Sequence, residues 1–267
     1  MFLNWGLESV KWQLNLSGLH RFTFRQAFRA VLAGVAFSLN TPNRIGEYGG
    51  RVLFVPEGMR IRAVSLTLAG SFAQLLVTLL AGGIGFFFIW EKLLSVNELL
   101  PVASWLRVLQ WVVLAAAIAG LLLFFRIGRI VKKMERIPFL RRHARHFSIV
   151  GELQPRILVG ILLLSVFRFI VFVIQYCLML QVMGVETGWW EGFWSVSVFF
   201  LFMAVVPSIA LLELGLRWQF SIIIFGIFSQ NILGIYAAAT GIWIINLLLP
   251  AIAGSILILG VRIFRKE

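Results

Sequence analysis

Between Arg217 and Arg262 not one residue carries a charge. Such a stretch cannot cover a water-facing surface, yet it is long enough for two crossings of a hydrocarbon core, each needing about 20 residues. Three further runs are uncharged: Ala63 to Trp90, Val108 to Phe125 and Gly192 to Leu212. Composition agrees, with 60% hydrophobic and 13% charged residues and a mean hydropathy of +0.95. A soluble domain has roughly 45–50% apolar and about 25% charged residues. The runs are continuous rather than alternating, which argues against a β-barrel. The expectation is an all-α, polytopic helical membrane protein of about seven or eight membrane segments, possible re-entrant helices among them. They fall near 2–18, 27–42, 63–90, 105–126, 157–184, 192–212, 218–236 and 241–262, with a turn near Tyr236–Gly241. The lone Cys177 lies in a span, so no disulfide framework or CxxC pair is expected. No removable signal peptide is expected at Met1.

Charge orients the chain. The stretch 126–156 holds nine Lys/Arg against Glu135 and Glu152, which places it in the cytoplasm. Its apolar residues recur at helical spacing up to Pro138, as in a basic amphipathic helix on an anionic membrane surface. The net charge of +13 is thus explained by phospholipid, and nucleic acid is not an expected partner. The balanced loop 91–107 and the acidic loop 185–191 read as outside, and Arg262, Arg265 and Lys266 as inside. Segment 27–42 leaves two alternatives. As a span it puts Arg21, Arg25 and Arg29 outside; as a re-entrant arm it returns them inside. Analogy with 192–212, which the C-terminal charges require to cross, favours the span.

The two halves look like copies within one membrane domain, 1–267: a first repeat over about 1–135, the basic linker 126–156, and a second repeat over about 157–267. Glu47-Tyr48-Gly49-Gly50-Arg51 recurs as Glu213-Leu214-Gly215-Leu216-Arg217. Pro42 and Pro207 each lie 14 residues after a Phe (Phe28, Phe193). Lys11–Leu16 resembles Gln175–Leu180, Gly70–Gln74 resembles Gly226–Gln230, and Ala117–Gly120 resembles Ala251–Gly254. Repeated membrane folds are common among transporters, whose sites lie between the repeats.

Glu47→Arg51 and Glu213→Arg217 have i,i+4 spacing with the acid first, so a helix puts each pair on one face. A lone charge at the bilayer centre costs at least about 2.5–3.5 kcal/mol, and pairing reduces this. The plain reading is that each pair neutralises a helix end. The functional reading adds three features. Gly46 and Gly49 let a head group or a helix approach the backbone, Pro42 and Pro207 interrupt helices and free backbone groups, and the pair occurs twice, as for two lips of one cavity. An Arg fork suits a phosphate oxyanion.

The segment "TPNRIGEYGGR", followed by "GSFAQLLVTLLAGGIG", resembles the lysylphosphatidylglycerol synthase transmembrane-region family, the flippase-like membrane half of the multiple peptide resistance factor. The Pro-x-x-x-Gly-Glu-x-x-x-Arg core (Pro42, Gly46, Glu47, Arg51) is its specific part. Pro207, Glu213 and Arg217 match more loosely, with Ser208-Ile209-Ala210 where a Gly-rich turn is expected. Family members usually begin with one or two further spans, so the resemblance implies that Met1 falls near an internal span. It also implies a bacterial cytoplasmic (inner) membrane location, and movement of an aminoacylated phospholipid, hopanoid or polyprenyl-linked lipid between leaflets. It does not imply synthase activity, because the soluble aminoacyl-transferase domain of the bifunctional members has no counterpart in this sequence.

The candidate substrate-binding residues are therefore Pro42, Asn43, Arg44, Gly46, Glu47, Gly49, Arg51, Gln74, Arg168, Pro207, Glu213 and Arg217. Arg168 has no acid in its own span and takes Glu8 as its candidate partner; Glu8 and Lys11 are spaced to pair locally. Gln74 and Gln230 are as readily explained as polar glue between helices. His143 and His146 lack the further ligands of a metal site. The Trp residues at span ends, Trp5, Trp90, Trp105, Trp189, Trp218 and Trp243, read as interfacial anchors. The favoured function is a non-enzymatic lipid translocator whose partners are membrane lipids. The alternatives are a non-catalytic partner of a lipid or glycan synthase and a membrane-embedded lipid-modifying enzyme, though no HExxH, GxSxG or Walker A pattern appears. No catalytic residue, metal or cofactor is expected.

Overall fold

The computed structural model describes residues 1–39, 41–94, 103–135, 149–206 and 210–263. Among these the regular structure is helical: α1 (Phe2–Leu16), α2 (Phe24–Ser38), α3 (Gly46–Val52), α4 (Arg60–Leu94), α5 (Ala103–Phe125), α6 (Ile127–Glu135), α7 (Pro155–Val182), α8 (Trp189–Val205), α9 (Ala210–Phe225), α10 (Ile232–Trp243) and α11 (Leu249–Ile263). Local chemistry sets several boundaries. Thr23 and Gln26 close a capping box at the start of α2, and Pro155 opens α7, where its missing N–H costs nothing. Gly184, at φ 70°, ends α7 in the left-handed conformation that glycine accepts.

Among the described residues four helical stretches are long and apolar enough to cross a membrane: Glu57–Leu94, Ala103–Phe125, Pro155–Val182 and Ile232–Leu259. The other expected segments differ. Helix α2 has 15 residues, a rise of only about 22 Å against a core of about 30 Å. The chain then turns through Pro42–Arg44, and α3 runs back along α2. A Cβ on Gly46 would meet the Phe37 carbonyl at 2.2 Å, and one on Gly50 would meet Ala33 at 2.5 Å. Segment 27–42 thus forms one arm of a helical hairpin, the shape that goes with the re-entrant alternative. The same holds for 192–212. Helix α8 stops at Val205, and α9 folds back on it, with Phe202 stacked on Phe220 and Phe199 against Phe225.

The turn expected near Tyr236–Gly241 lies earlier, at 226–231. There Asn231 accepts a hydrogen bond from the Gly234 N–H and donates to the Met183 and Gly184 carbonyls, fastening the start of α10 to the end of α7. Beyond it α10 passes without a break into α11 through a π-turn over Ile244–Leu248. That wider turn comes just before Pro250, which cannot donate the next helical hydrogen bond. Gln230 consequently lies exposed in the link, not in an apolar helix matching that of Gln74. In the basic stretch α6 is helical, while Pro138, His143 and His146 fall outside the described residues.

Helix α1 runs antiparallel to α7, with Leu14 beside Gly160 and Asn4 bonded to Arg168. Each hairpin packs against a long helix from the other half of the chain. A Cβ on Gly82 of α4 would meet Leu201 of α8 at 2.4 Å, and one on Gly254 of α11 would meet the Leu32 carbonyl of α2 at 2.0 Å. Among the described residues two large apolar cores result, beside a smaller cluster of Ala73, Leu76, Phe124, Leu158 and Ile161. One joins α7, α8, α9 and α10 to the C-terminal half of α4 (Phe86, Phe169, Tyr176, Phe199, Phe225). The other joins α1, α2 and α11 to the N-terminal half of α4 (Trp12, Leu16, Val31, Leu66, Ala251). Helix α5 packs on α4 and turns Trp105, Val112 and Leu122 outward, each more than half exposed. An apolar exterior of this kind suits a lipid solvent.

Candidate functional site

The tip of the first hairpin reaches the start of α9 in the second, near the middle of α4. Thr41 Oγ accepts the Gly46 N–H at 2.8 Å and closes the first tip. Arg44 sits at its apex with φ 58°, a left-handed conformation that costs a non-glycine residue about 1–2 kcal/mol. Its guanidinium donates to both carboxylate oxygens of Glu213, at 2.7 and 3.0 Å. Arg217, one turn along α9, donates to the same carboxylate at 2.6 and 3.0 Å. The expected Glu213–Arg217 pair therefore forms, and the opposite hairpin adds a second arginine to it. Glu213 is buried.

A second cluster centres on Glu8 of α1, which is buried and binds three cations. Lys11 lies 2.8 Å away, Arg51 2.9 Å and Arg168 2.9 Å. Arg51 also makes the expected i,i+4 pair with Glu47. Arg168 donates from Nε to Asn4 Oδ1 at 2.8 Å, and its guanidinium lies over the rings of Trp5 and Phe172. Gln74 accepts from Lys11 and Arg168 and donates to the Ser165 carbonyl. One carboxylate thus ties α1, α3 and α7 together, and the amide of Gln74 adds α4.

Between the clusters lies a cavity of about 580 Å³, within the size range of small-molecule sites. Arg44, Gln74, Arg168, Glu213 and Arg217 line it, with Trp5, Phe172, Trp243 and Asn246. Five of the expected site residues are thus brought together. Others are not. Arg51 is buried behind the wall, held by Glu8 and Glu47, and neither it nor Glu47 lines the cavity. Gly46 is consumed by the α2–α3 contact, as is Gly50, whereas a Cβ on Gly49 would meet nothing within 4 Å. Pro42 is exposed in the tip turn and does not line the cavity. The side chain of Asn43 and all of Pro207 lie outside the described residues.

Glu8, Trp5, Trp243 and Asn246 were not among the expected site residues. Trp5 and Trp243 were read as interfacial anchors, but both are cavity walls, and Trp5 is buried. Glu8 and Lys11 carried a signal in being charged within an apolar helix. Nothing in the sequence marked Asn246, or Trp243 as a cavity wall. Among the described residues no group of His, Cys, Asp and Glu could hold a metal ion.

The close α2–α3 contact gives a first prediction. Gly50→Val forces a branched side chain against the backbone of Ala33 and Gly34, so the hairpin must open. An overpacking cost of about 1–3 kcal/mol is expected, read as a lowered unfolding temperature in detergent. Gly49→Ala, facing open space, should leave that temperature unchanged.

Comparison with protein families places this geometry. The family described as Lysylphosphatidylglycerol synthase TM region matches residues 1–254, and the chain belongs to that family. It is an integral membrane protein. No curated protein and no solved structure matches it.

Proposed function

We propose that this member of the lysylphosphatidylglycerol synthase TM-region family is a lipid translocator of the bacterial cytoplasmic membrane. It moves a phospholipid or a polyprenyl- or hopanoid-type lipid between leaflets. The head group occupies the cavity between the hairpin tips, while the hydrocarbon tails stay among the outward apolar side chains. The observation that carries this reading is the cavity itself, charged and aromatic, at the mid-length of α4 where two broken helices meet. Broken helices lining a polar cavity at membrane mid-depth are a recurrent design of secondary transporters.

An inverted internal repeat accounts for the arrangement. With the basic linker inside, α5 ends inside and α4 begins there, so the first hairpin enters and leaves on the inner side. Arg21, Arg25 and Arg29 then agree with the positive-inside rule. Helix α7 leads outside, the second hairpin enters from that side, and α10–α11 returns to the inner face. Helix α1 corresponds to α7, and the α2–α11 and α8–α4 contacts exchange under the same relation. The Glu47–Arg51 and Glu213–Arg217 pairs occupy the returning arms of the two hairpins.

Cysteine labelling tests the topology. In a Cys177→Ser background, Ser17→Cys and Gly58→Cys should react with an impermeant maleimide from one side, and Glu186→Cys and Gln230→Cys from the other. Labelling of positions 17 and 58 from opposite sides would restore the crossing helix. Reconstitution tests the activity: labelled phospholipid should exchange leaflets faster in vesicles holding the protein than in empty ones. Chemical turnover of the lipid without exchange would indicate an enzyme, and neither result would leave a scaffolding partner.

A further inference from the structure

The walls of the cavity are not electrically neutral. Arg44, Arg168 and Arg217 face it with Glu213 alone. The residues behind do not correct this, because Lys11 and Arg51 are matched by Glu8 and Glu47. Five cations and three carboxylates share this network, an excess of two positive charges; the Arg44 side chain is 42% exposed and the others are mostly buried. In a low-dielectric wall such an excess is costly unless an anion enters. The unmatched hydrogen-bonding atoms point the same way. The indole N–H groups of Trp5 and Trp243 and one nitrogen of Arg217 have no partner. All three are buried donors on residues that line the cavity, as Asn246 Oδ1 is a buried acceptor on another, so a small side-chain movement has to bring them to a bound oxygen.

We propose that the ligand of this cavity is a doubly charged, amine-free phosphate group: a phosphomonoester or diphosphate head rather than a phosphodiester or an aminoacylated, cationic head. The inference rests on the translocator reading for its source being a lipid. A phosphomonoester carries close to two negative charges at neutral pH and three acceptor oxygens, which matches the excess and the donors together. A phosphodiester such as phosphatidylglycerol carries one charge and leaves half the excess standing. A lysyl head adds cations to a site that already has too many, and like charges brought together in a desolvated site repel strongly. The one carboxylate on the wall, Glu213, is already held by two guanidiniums and offers an ammonium group no free partner.

The test is competition against a fluorescent phosphatidic acid bound to the full-length chain in neutral detergent micelles. Phosphatidic acid should compete at least about tenfold better than phosphatidylglycerol, equivalent to roughly 1.4 kcal/mol, and lysylphosphatidylglycerol should be the weakest. Arg168→Gln leaves Glu8 with Lys11 and Arg51, so the protein should still fold. It removes one excess charge and should cut the advantage of phosphatidic acid to less than about threefold. Arg60→Gln, far from the cavity, should leave it unchanged. Equal competition by phosphatidylglycerol, or stronger competition by the lysyl lipid, overturns the proposal, and does so even if leaflet exchange is observed. Sodium diphosphate competing as well as phosphatidic acid would uphold the charge assignment, name a soluble anion as the source, and sink the translocator reading. Selective binding of phosphatidic acid without leaflet exchange would likewise uphold the proposal and remove the transport function alone.

Discussion

Glu8→Leu should destabilise the protein more than any other single substitution in the charge network. It removes the one carboxylate shared by Lys11, Arg51 and Arg168. Arg51 keeps Glu47, but Lys11 is buried and keeps only the amide of Gln74, while Arg168 keeps neutral partners and aromatic rings. Breaking a buried pair by deleting one partner typically costs about 3–5 kcal/mol, because the remaining charge has neither water nor a counter-ion. The loss should appear as a large fall in unfolding temperature in detergent. Glu8→Gln should fall between, since an amide still accepts hydrogen bonds but carries no charge. The double variant Glu8→Leu with Lys11→Leu should recover part of the loss, because it removes the least accessible orphan as well. At the exposed turn, Glu57→Leu should have no measurable effect, as surface pairs contribute little. A Glu8→Leu protein as stable as the Glu57→Leu protein would show that α1 is not anchored through its carboxylate.

The sequence offered Lys11 and Arg168 as partners of Glu8, and both pairs form, but that Arg51 joins them on the same carboxylate could not be read from it. The three partners lie on α1, α3 and α7, and only the Lys11 contact is local. By contrast, the Glu47–Arg51 and Glu213–Arg217 pairs needed nothing but helical spacing, and both formed. Hydropathy located apolar chain correctly but not its direction. Segments 27–42 and 192–212 look continuous because the hairpin turns carry few charges, and apolar residues suit either a crossing or a returning arm. The length of α2 and the close approach at Gly46 and Gly50 reveal the hairpin, and both are properties of the packed backbone. The break at 226–231 was missed because Gly226, Ser229 and Asn231 are weak breakers beside Pro250. Yet the chain stays helical up to Pro250 by widening into a π-turn. Pairing of Arg44 with Glu213, 169 residues apart, follows only once both chain reversals are known.

That pairing supports the other large effect. Arg44 and Glu213 join the two hairpins at their tips, so their contributions should be coupled. Arg44→Ala leaves Glu213 with Arg217, and the Cβ it keeps leaves the left-handed strain at φ 58° unchanged. Its effect on stability should be small, but leaflet exchange should drop by about tenfold or more, as a ligand-facing guanidinium and the link between the tips are lost together. Glu213→Ala leaves Arg44 and Arg217 facing one cavity without their carboxylate, and should cost about 2–3 kcal/mol, less than Glu8→Leu, because the Arg44 side chain is 42% exposed and water still reaches it. In the double variant a single arginine remains. If the bridge is as drawn, the two losses should fall short of adding by about 1 kcal/mol or more, a coupling of the size found for residues in direct contact. Arg44→Gly separates the backbone from the side chain: it fits the left-handed turn at least as well as arginine, so the tip should keep its shape while exchange falls as far as in Arg44→Ala. Strictly additive stability losses, together with unchanged exchange in both Arg44 variants, would mean that the tips do not act on one another through this pair. The charge on the cavity wall would then have to serve binding without any part in bringing the hairpins together.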